Sequence, residues 1–320
     1  MMKKVFITRK IEEEVIRELS SKFRVEVWPY EDQVCPREEL LKHAADSHAL
    51  LTMLSDQVDE ELFEQAPELE IVANLAVGYD NIDVKSAAER GIIISNTPDV
   101  LTDTTADLAF SLLLATARRI VESADYIKQG NWQSWSPYLL AGSDVHHKTI
   151  GIIGMGEIGE AVAKRARGFD MNILYHNRSR NQEAEDKLHA SYRTLDELVA
   201  ESDFIVCLTP LTEETRGMIG TAEFSRMKNS AYLINAGRGP VVDEEALIQA
   251  LQDGEIAGAG LDVFEKEPID VSHPLLSMKN VTAVPHIGSS SVETRRTMME
   301  LCATNIARVL TGSEPVTKVQ

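Results

Sequence analysis

Three polar residues in the second half of the chain stand where chemistry is expected: Arg238 in INAGRGPVVDEEAL, Glu267 in LDVFEKEP and His286 in VPHIGSSS. Each follows a short apolar run of strand character, and in an open parallel sheet ligands bind at the carboxyl ends of strands. A histidine titrating near neutrality passes a proton to or from an oxygen. A carboxylate beside it favours the imidazolium and fixes the ring, and an arginine offers a two-pronged fork to a substrate carboxylate. Taken singly, Arg238 also reads as a turn residue, Glu267 as one of the chain's 51 acids and His286 as a core histidine.

A second constellation is GMGEIG, residues 154–159, which fits G-x-G-x-x-G. It follows the apolar run TIGII and opens an amphipathic pattern, the strand-to-helix context that dinucleotide binding requires. Gly154 permits the tight turn, Gly156 lets backbone approach a pyrophosphate, and Gly159 lets the helix pack on its strand. Met155, Glu157 and Ile158 complete the turn, and the helix amides face the diphosphate. From Gly154 it is 22 residues to His176 and 24 to Arg178, where such a unit meets the adenosine ribose. An NAD enzyme wants an acid there; this chain offers His176, Asn177, Arg178, Ser179 and Arg180. Arginines and a hydroxyl suit a 2′-phosphate, so NADPH is the expected cofactor, with NADH as a usable second.

The elements that must position these residues alternate. KVFIT, IEEEVIRELSSKF, RVEVW, PREELLKHAA and HALLTML read as strand, helix, strand, helix, strand, and a parallel sheet is expected. The pattern runs on through LEIVANLAVGYDNID, SAAERGIIISN and one apolar helix, TADLAFSLLLATARRI. It breaks in QGNWQSWSPYLLAGSDV, read as a loop, and a fresh α/β series begins at Lys148. A last helix, SVETRRTMMELCATNIARVLTG, closes the chain. The fold class expected is α/β with doubly wound parallel sheets.

At 320 residues and 43% hydrophobic content, about two domains with well-packed cores are expected. A net charge of −19 repels nucleic acid and anionic membranes. MMKKVFITRK lacks the apolar run of a secretory signal, and LAFSLLLATA is too short to span a bilayer. Cys35, Cys207 and Cys302 form no CxxC pair, so neither disulfides nor a metal site is expected and a reducing cytoplasm is the expected compartment. His146 and His147 are adjacent and cannot share a ligating face; His273 reads as a loop or helix-start residue, and Cys207 as strand packing.

GMGEIG, INAGRGPVVDEEAL, GAGLDVFEKEP and VPHIGSSS, in this order, resemble the D-isomer-specific 2-hydroxyacid dehydrogenases. NLAVGYDNID and TDTTADLAFSLLLATARRI extend the resemblance to nearly the whole chain. It implies two Rossmann-like or flavodoxin-like domains, the cofactor domain (100–286) inserted into a split substrate domain (1–99 and 287–320). It implies Arg238, Glu267 and His286 as the catalytic set, with His286 the general acid and base. It further implies that backbone amides of Val77 and Gly78 bind the substrate carboxylate, that Asp262 contacts the nicotinamide carboxamide, and that Thr105, Thr209 and Ala236 lie against the cofactor. The branch most similar is glyoxylate/hydroxypyruvate reductase, an NAD(P)-dependent oxidoreductase acting on small 2-oxo acids; 2-ketogluconate reductases share NLAVGYDNID. Formate dehydrogenases place glutamine where this chain has Glu267. Some relatives are dinucleotide-sensing co-repressors, the binding-module alternative. Trp132 and Trp135, in GNWQSWSP, resemble a segment that reaches a partner's site, so a homodimer is expected, with Trp135 contacting the partner's substrate.

Overall fold

The computed structural model describes residues 2–319, which divide into two units. The first comprises residues up to Leu101 and from Ser291 onward; the second is Thr102–Ser290.

In the first unit β1 (Lys4–Ile7), α1 (Glu13–Ser20), β2 (Arg24–Val27), α2 (Arg37–Ala44), β3 (Ala49–Thr52), α3 (Glu60–Gln65), β4 (Ile71–Asn74), α4 (Val84–Glu89) and β5 (Ile93–Ser95) alternate. All five strands pair in parallel, in the order β2-β1-β3-β4-β5. Strands covered on both faces must be apolar throughout, and KVFI, ALLT and IVAN are buried at every position. The strand order reverses between β1 and β3, and in open α/β sheets ligands bind at the carboxyl ends beside such a reversal. The short helix α3, unanticipated from the sequence, is started by Asp59, whose side chain accepts from the Leu62 amide.

The second unit carries α5 (Thr102–Ala117), α6 (Ile120–Lys128), β6 (Thr149–Ile153), α7 (Glu157–Arg167), β7 (Asn172–His176), α8 (Gln182–Leu188), β8 (Ser191–Tyr192), α9 (Leu195–Glu201), β9 (Phe204–Cys207), α10 (Thr221–Arg226), β10 (Tyr232–Asn235), α11 (Glu244–Asp253), β11 (Gly258–Leu261), α12 (Pro274–Ser277) and β12 (Val281–Ala283). Its seven strands run β12-β11-β10-β9-β6-β7-β8, all parallel, with the reversal between β6 and β9. Two doubly wound parallel sheets are therefore present, as the alternation of elements anticipates. The final helix, α13 (Val292–Leu310), returns to the first unit and packs on β3 and β4.

The expected helix TADLAFSLLLATARRI is present as α5 but stops three residues early, and a second helix, α6, follows it. α5 ends at Ala117 and Arg119 adopts φ +54°, a left-handed turn braced by its guanidinium on Glu122. Ala106, Ala109, Phe110, Leu112, Leu113 and Ala117 are buried in the second unit's own core, against α7 and the β10–β12 side of the sheet. The apolar character of α5 is thereby accounted for within its unit, so burial of that helix does not itself require a partner. Among the described residues no helix is long and apolar enough to cross a membrane.

Candidate active site

The glycine turn lies at the reversal of the seven-stranded sheet. Gly154 leaves β6 with φ +102°, and a Cβ there would lie 2.9 Å from the Thr209 amide nitrogen. Thr209 follows β9, so the turn is wedged against the neighbouring strand's exit. A Cβ at Gly159 would stand 2.3 Å from the Gly154 carbonyl oxygen, so only glycine allows α7 to start this close to its strand. At Gly156 a side chain would meet nothing within 4 Å, leaving the N-terminus of α7 open to an anionic ligand. These features fit a dinucleotide.

Two expected contacts take a supporting place instead. The Met155 amide donates to Asn177 Oδ1 at 2.7 Å, and its carbonyl accepts from Asn177 Nδ2 and from Asn181 Nδ2. With the Met155 side chain only 1% exposed, neither residue keeps its polar group for a ligand. They staple the turn to the end of β7, which the Gly154 amide also reaches through the His176 carbonyl.

Beyond β7, Arg178 and Ser179 are exposed, and Arg178 makes no hydrogen bond or ion pair among the described residues. Arg180 is held: its guanidinium donates to both oxygens of Glu185, at 2.9 and 2.5 Å. Glu185 also accepts from the buried Tyr175 hydroxyl, and that hydroxyl accepts from the Asn181 amide. The acid missing from positions 176–180 thus enters from α8 and engages one of the two arginines.

The titratable cluster stands at the exits of β10, β11 and β12. His286 Nδ1 lies 2.7 Å from Glu267 Oε2, while Glu267 Oε1 accepts from the Phe264 amide at 3.0 Å. Burial alone would raise Glu267, but the His286 hydrogen bond and charge, the Phe264 amide and the Arg238 charge outweigh it and hold the carboxyl below its ordinary range. Asp262, 1% exposed, accepts from the Ile287 amide at 2.6 Å, and the His286 amide donates to its carbonyl. Burial pushes Asp262 up to about 6. His286 itself sits at φ +51°, a conformation unusual for a residue with a side chain. Those two amide bonds to Asp262 hold it there, so the ring's direction is set by backbone rather than by packing alone.

Arg238 follows β10, half-buried, its carbonyl held by Asn235 Nδ2 at 3.0 Å. Gly239 abuts the backbone of Phe264 and Glu265, and Glu244 in the first turn of α11 accepts from the Glu265 amide at 2.6 Å. These contacts lock the Arg238 loop to the Glu267 loop. Sequence reading passed over Asn235 and Glu244, although both lie in or beside the quoted motif. Thr105 is buried beside Gly288 and Asp262: a Cβ on Gly288 would lie 3.3 Å from Thr105 and 3.2 Å from Asp262. Ala236 packs at the edge of the core that contains Met155.

In the first unit, Val77 and Gly78 lie past β4 where the chain emerges from the core. Trp132 and Trp135 are 57% and 79% exposed in a stretch without helix or strand. Cys35, Cys207 and Cys302 are free and buried, and burial pushes the Cys207 thiol up to about 12, far from a nucleophile's range. His273 precedes α12 with Nε2 3.5 Å from Glu244.

Residues 110–288 match the family model described as D-isomer specific 2-hydroxyacid dehydrogenase, NAD binding domain. The chain is 54% identical, over 323 aligned positions covering all of it and 96% of the relative, to a glyoxylate reductase of Thermococcus gammatolerans. Among solved structures, it is similar to an NADPH-dependent glyoxylate/hydroxypyruvate reductase of Sinorhizobium meliloti in complex with NADP and malonate. The TM-score is 0.87 and the identity 35%, covering 100% of this chain and 97% of that one. A glyoxylate reductase of Paecilomyes thermophila gives a TM-score of 0.88 at 34% identity, covering 99% and 98%. With the family model spanning more than half the chain and a relative alike over its full length, the protein belongs to the D-isomer-specific 2-hydroxyacid dehydrogenases and is an NAD(P)-dependent oxidoreductase.

Proposed function

We propose that the protein reduces glyoxylate, and hydroxypyruvate with it, to the corresponding 2-hydroxy acid, with NADPH as preferred reductant. The observation that carries this reading is the 2.7 Å His286–Glu267 pair at the strand exits of a dinucleotide-binding sheet. The Gly154–Gly159 turn would hold the diphosphate of a reduced nicotinamide dinucleotide, which when bound would supply the hydride. Gly156, Glu157, Ile158 and Gly159 face its phosphates, and Thr105, Thr209, Ala236 and Asp262 flank it. His286 Nδ1–H donates to Glu267, which leaves Nε2–H to protonate the oxygen at C2 as the carbonyl becomes an alcohol. Glu267 keeps the ring oriented and favours its charged form, while Arg238 holds and polarises the substrate. The substrate carboxylate rests on the amides of Val77 and Gly78. Substrate identity draws support from the names of the relatives.

NADPH preference rests on Arg178 and Ser179, exposed where a 2′-phosphate is expected, Arg178 making no hydrogen bond or ion pair among the described residues although its charge is felt by Glu214. Arg180 contributes as positive charge while bound to Glu185. We place the active form as a homodimer: Trp132, Trp135 and Tyr138, with Ile120, Val121 and Ile127 of α6, expose apolar surface that a second copy would cover, Trp135 reaching the partner's site. Light scattering that gives a monomer at micromolar concentration contradicts the dimer. Initial rates with glyoxylate, hydroxypyruvate, pyruvate and 2-ketogluconate, each with NADPH and NADH, test the function. Fast NADPH consumption with glyoxylate is expected. No consumption with any 2-oxo acid favours a dinucleotide sensor instead.

A further inference from the structure

Past β4 three consecutive carbonyls are each tied to the first unit's interior. The Ala76 carbonyl accepts from the Thr97 amide at 2.8 Å, the Val77 carbonyl from Asn96 Nδ2 at 2.8 Å, and the Gly78 carbonyl from Asn74 Nδ2 at 3.0 Å. All three peptide bonds are trans, the cis bond found among the described residues being Glu267–Pro268. In a planar trans peptide the N–H points opposite to the C=O. Tying the three carbonyls inward therefore turns the amides of Val77, Gly78 and Tyr79 away from the anchors. These amides donate to no group among the described residues, while the chain passes from buried at Ala76 to exposed at Tyr79.

The anchors are themselves fixed. Asn74 is fully buried at the end of β4; its Oδ1 accepts from the Thr52 hydroxyl at 3.1 Å, which leaves Nδ2 as the group facing Gly78. Asn74 Nδ2 also approaches Asn81 Oδ1 at 3.3 Å, and Asn81 Nδ2 donates to the Met53 and Asp56 carbonyls. The Asn96 carbonyl accepts from the Thr317 hydroxyl at 2.6 Å. The side chains that hold the three carbonyls and their own anchors, Asn74, Asn81, Asn96, Thr52 and Thr317, are all uncharged. A positive residue behind the loop would attract the carboxylate inward, whereas amide side chains orient the backbone and leave binding to the N–H groups.

We infer that Asn74, with Asn96, is a positioning residue for substrate recognition: it aims the amides of Gly78 and Tyr79 at the carboxylate, so the binding set is Val77, Gly78 and Tyr79 rather than Val77 and Gly78 alone. The inference rests on the proposed reduction of a 2-oxo acid. An amide aimed at a carboxylate acts equally in ground and transition states, so its loss raises KM and spares kcat.

The test is Asn74→Ala and the equal-sized Asn74→Asp, assayed with glyoxylate and, for binding without turnover, with oxalate by calorimetry. In both variants KM for glyoxylate and Kd for oxalate rise about 10-fold, the scale of one hydrogen bond to a charged group. The value of kcat stays within about 2-fold and Kd for NADPH is unchanged, as expected when only uniform substrate binding is lost. If Asn74→Ala does not fold, Asn74→Asp decides, because it keeps the size and loses the donor. Unmoved KM and Kd, or equal losses in substrate affinity, NADPH affinity and kcat, overturn the inference. A parent enzyme that turns over no 2-oxo acid overturns the reading beneath it, and is told apart by being seen without any substitution.

Discussion

The two units solve one architectural problem with different chemistry. Both are parallel sheets whose strand order reverses once, and in both the polar residues gather at strand exits. In the seven-stranded unit those residues titrate: His286, Glu267 and Asp262 sit within hydrogen-bond or charge reach of each other, and Arg238 acts on Glu267. In the five-stranded unit the side chains behind the loop after β4 are asparagines and a threonine, which carry no charge at any ordinary pH, while the ionisable pair at the exits of β1 and β3, Arg9 and Asp56, is buried and tied to Ser55, Thr8 and Met53. The contrast teaches that a fold of this kind supplies strand exits and leaves the chemistry to side chains: on the proposed function, one set of exits would move protons and the other would hold still a backbone that binds.

The sharpest break between the units comes from His286→Ala. Turnover should fall roughly 10²–10⁴-fold, the worth of a positioned general acid, with NADPH affinity measured by fluorescence little changed. Near-normal turnover would move the chemistry out of the second unit altogether. Arg178→Ala comes next: NADPH affinity should weaken roughly 10–100-fold, with NADH nearly untouched, for one charge-assisted hydrogen bond to the 2′-phosphate. Equal losses for the two cofactors would return Arg178 to the role of a solvated turn.

A smaller effect sharpens the titrating side. Glu267 is held below its ordinary range by its hydrogen bond to His286, so its stabilising contribution is present above the ordinary carboxylate range and is lost as pH falls through that depressed value. Glu267→Gln removes the charge that favours the imidazolium, and the pH profile of reduction should turn down at lower pH than in the parent. An unshifted profile would separate the two residues functionally.

Smallest of all is a stability signature at Asp262. Its folded pKa is raised by burial to about 6, so its contribution is complete below the unfolded value and is lost as pH rises through about 6. Asp262→Asn keeps an acceptor for the Ile287 amide and cannot ionise. Its Tm should gain on the parent's as pH rises from the ordinary carboxylate range to about 6 and level off above that, and a difference independent of pH would refute the assignment.

What was legible in the sequence tracks how few residues could serve. GMGEIG could be read because Gly154 needs positive φ and Gly159 needs the close approach, and both demands exclude other side chains. Arg238, Glu267 and His286 were legible only jointly, each having an ordinary reading alone. The break between α5 and α6 was hidden because it uses Arg119 in a left-handed conformation rather than a glycine or proline. Glu185 was hidden because its partner Arg180 lies across a turn, where spacing implies no contact. The asparagine anchors left least trace of all: their partners are carbonyls, which every residue has.

The division between the units is tested most directly by initial rates against glyoxylate concentration, at saturating NADPH, for the parent, His286→Ala and Asn74→Ala. The expected result is a collapse of kcat without a comparable rise in KM for the first variant, and a raised KM with kcat retained for the second. If both substitutions move the same parameter, or if each moves the other's, the separation of proton transfer from carboxylate binding is wrong.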